Sequence, residues 1–436
     1  MEPAKNVSFR QKIRKIGRVR NPVQVNETMK KMTFRPLPCL LLLAFSGVAS
    51  ASAFQLWEQN ASGIATSFAG SAAVADNAGT IFFNPAGMTQ LPGIQLSVGV
   101  AGVGPSFKFS NDGSSGLLGT GGDGGNAGSW AAVPNAYLSW QVAPDWFIGL
   151  GISSPFGLKT EYDANNWIGS YQGIKSKITT VNYNPSLAWK VNDKVSLGLG
   201  FSYQTLDAEL TSALPGVPRS SQLKGDDASW GWNAGALFTL SPAMRVGISY
   251  RSAVDYTLEG NSNTALTSTP VKTDVKLPDT FILSVWQQVS DRWEAMGDLS
   301  YTNWGTLKTL NVINSNTGVQ IGSENFGYRD SWRFAWGAAY KATEAWKLKF
   351  GIAYDRTPTT DNERSVRVPD NDRIWFSLGA QWNGGAYGKI DAGYAYLYVK
   401  DADINQTKTF PGATSNLRGS YSDSGHLLGI QYSNGF

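Results

Sequence analysis

The chain has 436 residues, of which 12% are aromatic and 16% charged, with one cysteine and one histidine. A single cysteine excludes a disulfide framework or a thiolate metal site, and a single histidine leaves metal-cluster or Ser-His chemistry without partners. The formal charge of +4 belongs to the N-terminal stretch. Residues 1–51 hold ten Lys+Arg and two Asp+Glu, which leaves 37 − 10 = 27 basic and 33 − 2 = 31 acidic side chains beyond them. A balance near −4 there removes any charge argument for nucleic-acid binding.

In chain order, residues 1–51 read as a leader with a signal peptide, and 37–48 form its apolar core. Leu37 to Val48 is too short and too proline-interrupted to span a bilayer as a helix. It follows Lys30, Lys31 and Arg35 and precedes the small residues Ser46 to Ala53, the pattern of an export signal. Cleavage is expected after Ala51 or Ala53, with Met29 or Met32 as the translation start. Cys39 lies in the apolar core of the leader, so the exported chain has no cysteine.

Residues 52–92 do not alternate. They are small and apolar, as in Phe68-Ala69-Gly70 and Ala72-Ala73-Val74-Ala75, with no face suited to lipid. A disordered tail would carry more charge, so a plug inside a barrel lumen is the better reading.

From residue 93 to 436 the pattern has period two, as in Val195, Leu197, Leu199, Phe201 and Tyr203 with small or polar residues between. Such alternation sets one strand face in an apolar medium. Fourteen segments follow, at roughly 93–110, 130–142, 145–160, 175–191, 194–212, 225–241, 243–260, 270–290, 292–312, 320–341, 344–358, 366–383, 386–403 and 418–436. A soluble β-sandwich alternates too, so three other features decide. Short turns such as Ala143-Pro144-Asp145 and Asn192-Asp193 alternate with long polar loops near 111–129, 161–174, 213–224, 260–270, 311–324, 357–366 and 404–417. Aromatics stand near strand ends (Trp140, Trp146, Trp189, Trp293, Trp304, Trp346, Trp382) as interface girdles require. The last strand ends in Phe436, with Leu428, Ile430 and Tyr432 in the same parity, a signal of the kind that barrel assembly machinery reads. The expected fold is all-β: a membrane-spanning antiparallel barrel in a bacterial outer membrane, with both ends on the periplasmic side.

The segment ahead of the barrel carries a family resemblance. Phe54-Gln55-Leu56, Glu58-Gln59, Ser62-Gly63, Phe68-Ala69-Gly70, Asp76 and Asn84-Pro85-Ala86 resemble the plug of the long-chain fatty acid outer-membrane transporters, the FadL/TodX type. Pro155-Phe156-Gly157-Leu158, Tyr250-Arg251-Ser252 and Leu299 to Trp304 extend the likeness along the chain. Ala53 stands where that family has Gly. The resemblance implies uptake of a hydrophobic small molecule by diffusion through a plugged barrel, with sideways exit into membrane lipid at a kink in the third strand.

Candidate site residues follow, each with a structural alternative. Pro155, Phe156 and Gly157 break the third strand, either as a plain strand end or as an opening in the wall. Phe54 and Leu56 line a pocket or simply pack the plug, and Asn84, Pro85 and Ala86 hold a turn in it. Inner-parity Arg251, Arg333, Lys349 and Arg373 need acids, water or an anionic ligand. Asp255, Glu294, Asp298 and Asp391 offer partners, and Arg251 is the strongest candidate for a substrate carboxylate. No catalytic residue, metal or cofactor is expected, and the chain is expected to act as a monomer. A water-filled porin and an outer-membrane lipid hydrolase are the competing functions.

Overall fold

The computed structural model describes residues 53–217 and 220–436. The expected leader over 1–51 lies outside the described residues. The wall begins with β1 (Ile94–Asn111), β2 (Ala131–Ala143) and a divided β3 (Trp146–Ser153 and Gly157–Glu161). β4 (Lys175–Lys190), β5 (Val195–Ser212) and β6 (Ser221–Ser241) are long and continuous. Four divided strands follow: β7 (Met244–Arg251, Val254–Asn263), β8 (Ser268–Leu277, Thr280–Gln288), β9 (Trp293–Thr302, Thr309–Asn314) and β10 (Gln320–Asn325, Ser331–Lys341). β11 (Trp346–Asp355), β12 (Arg373–Asn383), β13 (Lys389–Val399, Ala402–Phe410) and β14 (Ala413–Gly435) complete the series.

Each strand pairs antiparallel with the next, and β14 returns to β1 from Gln95↔Gly435 to Asn111↔Gly419. The fourteen strands of the described residues therefore form a closed ring, as alternation and turn spacing predict. Closure removes the free edges that an open sheet would present to lipid. The outward positions confirm the surroundings. Leu199, Phe350 and Leu378 are 42%, 43% and 57% exposed, an apolar band that water would not tolerate. Exposed Trp140, Trp146, Trp189, Trp293 and Trp346 border it near the short turns. Tyr183, Tyr203, Trp232, Trp332 and Tyr354 border it toward the other rim.

Two expectations change. Much of the sequence expected as long loops is strand: β13 and β14 continue to Phe410 and from Ala413, joined by a tight turn over 411–412. Above the apolar band the outward face meets water and the inner face mixes apolar Ile404 and Leu417 with polar Gln406 and Ser415, so the segment reads as loop. Trp304 is not in a girdle but fully buried. The ladder breaks after Thr302 and a short 3₁₀ turn (Trp304–Thr306) follows; Met296, Asp298, Ser300 and Thr302 face inward, and Trp304 lies on that same inner side.

The N-terminal segment ahead of β1 packs on the inner face of the wall. It has two single-turn helices, Ala61–Ile64 and Thr80–Phe83, and a 3₁₀ helix over Pro85–Gln90. Its backbone lies flush against the wall where inner-parity glycines leave room. A Cβ on Gly198 would stand 2.2 Å from the Ala86 nitrogen, one on Gly247 2.0 Å from the Ala72 oxygen, and one on Gly351 2.1 Å from the Thr66 carbonyl carbon. These contacts are with backbone, which cannot swing aside. Gly198→Val is therefore expected to loosen the segment by about 1–3 kcal/mol, the usual cost of overpacking. Limited proteolysis should cut within 53–93 faster in that variant, whereas Gly297→Ala, whose nearest neighbour would be 3.8 Å away, should behave as the parent.

Candidate functional site

The wall opens where β3 divides. β2 and β3 pair from Ala143↔Trp146 to Ala136↔Ile152 and no further, while β3 beyond Gly157 pairs only with β4. Pro155 cannot donate to a ladder, and residues 154–156 leave the strand. Their peptide groups find substitutes. Phe156 N–H donates to Thr180 Oγ1 (3.0 Å), Thr180 Oγ1 donates to the Phe156 oxygen (2.7 Å), and Ser154 Oγ donates to the Thr180 oxygen (2.7 Å).

The remaining partners come from the N-terminal segment. Leu56 N–H donates to the Pro155 oxygen (2.7 Å) and Gly157 N–H to the Phe54 oxygen (2.9 Å), a short antiparallel bridge centred on Gln55 and Phe156. Gln59 Nε2 reaches the Ser154 oxygen (2.9 Å), and Tyr137 OH donates to the Gln59 oxygen (2.9 Å). The Phe54 ring meets Phe156 at 6.2 Å and Trp304 at 4.8 Å.

Thus Phe54, Leu56, Pro155, Phe156 and Gly157, separate in sequence, occupy one neighbourhood. Arg251 joins it. A cavity of about 30 Å³ is bounded by Leu56, Phe82, Phe156, Gln204, Arg251 and Ile282, which is room for a water but not for an alkyl chain. Arg251 donates to Ser202 Oγ (3.1 Å) and to the Phe82 oxygen (2.8 Å), and its guanidinium lies 4.3 Å from the Phe82 ring centre. No carboxylate among the described residues forms an ion pair with it, so it is a half-buried cation held by neutral groups.

The other inner cations hold the segment in place. Lys349 donates to Ser62 Oγ (2.6 Å) and pairs with Asp391 (2.8 Å). Arg333 donates to the Ser67 oxygen (2.6 Å) between the rings of Trp57 and Trp375, at 4.5 and 5.0 Å. Arg373 pairs with Asp370. Asp298 accepts from Ser71 N–H (3.0 Å) and from the hydroxyls of Ser71, Ser284 and Ser300. Asp255 departs from expectation: it lies outside, paired with exposed Lys276 at 3.1 Å. The break at Ser252-Ala253 resets the parity of β7, so Arg251 and Val254 both face inward and Asp255 faces out.

Asn84 is fully buried, and Pro85 and Ala86 are buried with it. Asn84 Oδ1 accepts from Ala86 N–H (3.1 Å), capping the 3₁₀ helix, and Nδ2 donates to the oxygens of Ala72 (2.8 Å) and Ala236 (3.0 Å). The triplet ties two turns of the segment to β6 and does not reach the cavity beside Arg251.

Sequence reasoning missed two features. One is an amphipathic cavity of about 720 Å³ on the long-loop side, lined by Leu210, Leu223, Leu258 and Phe410 together with Arg367 and Lys408. Leu223, Lys408 and Phe410 fall in stretches expected as polar loops, whereas Leu210, Leu258 and Arg367 lie in expected strands. The other is Glu58, which is fully buried and makes no hydrogen bond to another residue. Burial pushes its carboxyl up to about 7, against the pull of Arg373 and Arg333.

That shift has a sign. A carboxyl that binds its proton more tightly in the packed segment favours packing at low pH. Protection of 53–93 from protease should fall as pH rises from the ordinary value of 4.5 to about 7, then level off. Glu58→Gln should abolish the slope; a slope unchanged in that variant would assign it to another group.

Comparison with known proteins follows this geometry. Residues 42–436 match the family described as outer membrane protein transport protein (OMPP1/FadL/TodX). Outer membrane protein P1 of Haemophilus influenzae is 32% identical, the match covering 93% of this chain and all of that one. The long-chain fatty acid transport protein of Escherichia coli K12 is 26% identical, covering 82% of this chain and 90% of its own. Among solved structures, a Pseudomonas aeruginosa FadL homologue superposes with a TM-score of 0.83 at 24% identity, over 88% of this chain and 100% of that one. The Ralstonia pickettii toluene transporter TbuX shares the fold with a TM-score of 0.63 at 17% identity, over 86% of this chain and 97% of its own. A barrel with this register, this family match and these relatives belongs to the OMPP1/FadL/TodX family of outer-membrane transport proteins.

Proposed function

We propose that the protein takes up long-chain fatty acids or closely related amphiphiles by diffusion, with the N-terminal segment as its plug and the gap beside β3 as a lateral exit. The observation that carries this reading is that the plug supplies the missing strand at the gap. Phe54 to Leu56 bond to Pro155 and Gly157 where β2 no longer does. Displacing three residues would therefore unblock the wall without unfolding the barrel. The outward positions beside the gap, Ala132, Pro134, Ile152 and Val181, are small or apolar and suit a tail leaving into lipid.

Arg251 favours a carboxylate over a neutral hydrocarbon. Relatives include both long-chain fatty acid transport proteins and toluene transporters, so the family leaves the choice open. A half-buried guanidinium held only by a hydroxyl, a carbonyl and a ring gains most from an anionic head group. The closed cavity then reads as a gated state: an alkyl chain enters only as Leu56 and Phe82 move. The 720 Å³ cavity on the loop side is the first capture site, its apolar walls taking the tail and Arg367 or Lys408 the head. Phe436, whose backbone bonds to Ile94 at the closing seam, is the assembly signal, and the closed barrel works as a monomer.

Mass spectrometry of lipids co-purifying with the detergent-extracted barrel tests the reading. The parent should carry fatty acid, and a Phe54→Ala, Leu56→Ala variant should lose most of it. Arg251→Leu should retain less fatty acid while binding an uncharged alkane as well as the parent does. Absence of any apolar ligand, with high ion conductance in planar bilayers, would instead identify a water-filled porin.

A further inference from the structure

Five strands beyond β3, the wall is interrupted again, as it is between β6 and β7 and between β9 and β10. The lower halves of β8 and β9 pair from Gln288↔Glu294 to Thr280↔Thr302, but their upper halves share only Val271↔Asn314 and Lys272↔Ile313. Between these ladders, residues 273–279 of β8 and 303–312 of β9 border a gap. It is bounded below by Asn303, whose N–H donates to the Asp279 oxygen (3.1 Å) and whose Nδ2 donates to Asp279 Oδ1 (3.0 Å). Above, Ser315 N–H donates to the Pro270 oxygen (2.9 Å). On its far side the β9 excursion is held by β10, where Phe326 N–H and Gly327 N–H both donate to the Lys308 oxygen.

The gap is filled by side chains. Val275, Leu277, Trp304 and Leu307 are buried in one apolar cluster, and that cluster includes Phe54 of the plug. Trp304 meets Phe54 edge-on at 4.8 Å and Phe156 at 6.1 Å, so one aromatic group touches the plug and the residues of both interruptions. Val271 on one border and Leu310 on the other also line the large loop-side cavity.

The outward faces separate the two gaps. Beside β3 they are apolar; here Lys272, Asp274, Lys276 and Asn311 point outward and are exposed. An unpaired stretch of wall with such residues suits head groups and water, not hydrocarbon. We infer that the β8–β9 interruption is a side intake, through which a long-chain amphiphile in the outer leaflet slides its tail into the cluster around Phe54. Trp304 and Leu307 are the door, and the head group stays outside with the polar positions until the tail is in. The inference rests on the transport reading above and adds a route that bypasses the loop-side mouth.

The exported chain offers a cysteine-free background for the test, given that Cys39 lies in the expected leader. Thr273→Cys and Val312→Cys stand at the first positions past the last ladder pair, and a short bismaleimide joining them would hold the gap shut. A fluorescent long-chain fatty acid, preloaded into the outer leaflet of cells, serves as the probe. Bridging should slow its uptake severalfold relative to the unbridged pair, and should slow albumin-delivered fatty acid much less. Equal uptake of the preloaded probe by bridged and unbridged protein overturns the intake. No uptake by the parent protein under either delivery overturns the transport reading instead. If that pair does not assemble, Asp274→Cys with Asn311→Cys spans the same gap from outside and is judged by the same outcomes.

Discussion

A peptide group that faces hydrocarbon must find its hydrogen bond within the protein, because no water is there to supply one. The closed ring of strands answers that constraint almost everywhere. At the interruption beside Pro155 the substitute bonds come from Thr180, Gln59 and the peptide groups of Phe54 and Leu56. The same few bonds complete the wall and seat the plug. In the transport reading proposed above, whatever competes for Leu56 or Phe54 also loosens the barrel wall where lipid would receive a tail, and no hinge is needed.

The interior explains why such a plug stays put without a hydrophobic core of ordinary thickness. Glycines on the inner parity let its backbone lie against the wall, and Lys349, Arg333 and Arg251 all donate to the segment itself. Lys349 binds Ser62 and Asp391, and Arg333 binds the Ser67 carbonyl between two indoles. Breaking any one of these would leave a buried charge uncompensated, which is costly. Arg251, whose hydrogen bonds to Ser202 and Phe82 are with neutral groups, sits beside the cavity.

Period-two alternation, turn spacing and the terminal Phe436 made the barrel and its fourteen strands legible in the sequence, since lipid imposes the pattern directly. The neighbourhood of Phe54, Phe156 and Arg251 was legible as separate residues only. Nothing local says that residue 54 pairs with residue 156. Parity carried the rest until a strand broke: Asp255 follows an interruption that shifts the register by one, whereas Trp304 stands near a strand end but on the inner parity, so position alone does not make it a girdle residue. Strands above the membrane are hidden for a related reason, since their outward face meets water and their inner face mixes polar with apolar residues such as Ile404 and Leu417.

The central claim is that Phe54 to Leu56 form a removable piece of the wall. Hydrogen exchange at individual amides, with and without a long-chain fatty acid, tests it most directly. Exchange at Leu56 and Gly157 should quicken on adding the ligand, while Ile152 and Tyr183, in the intact ladder just below, stay protected. If Leu56 and Gly157 remain as protected as their neighbours while ligand passes, the plug does not open the wall and the exit lies elsewhere.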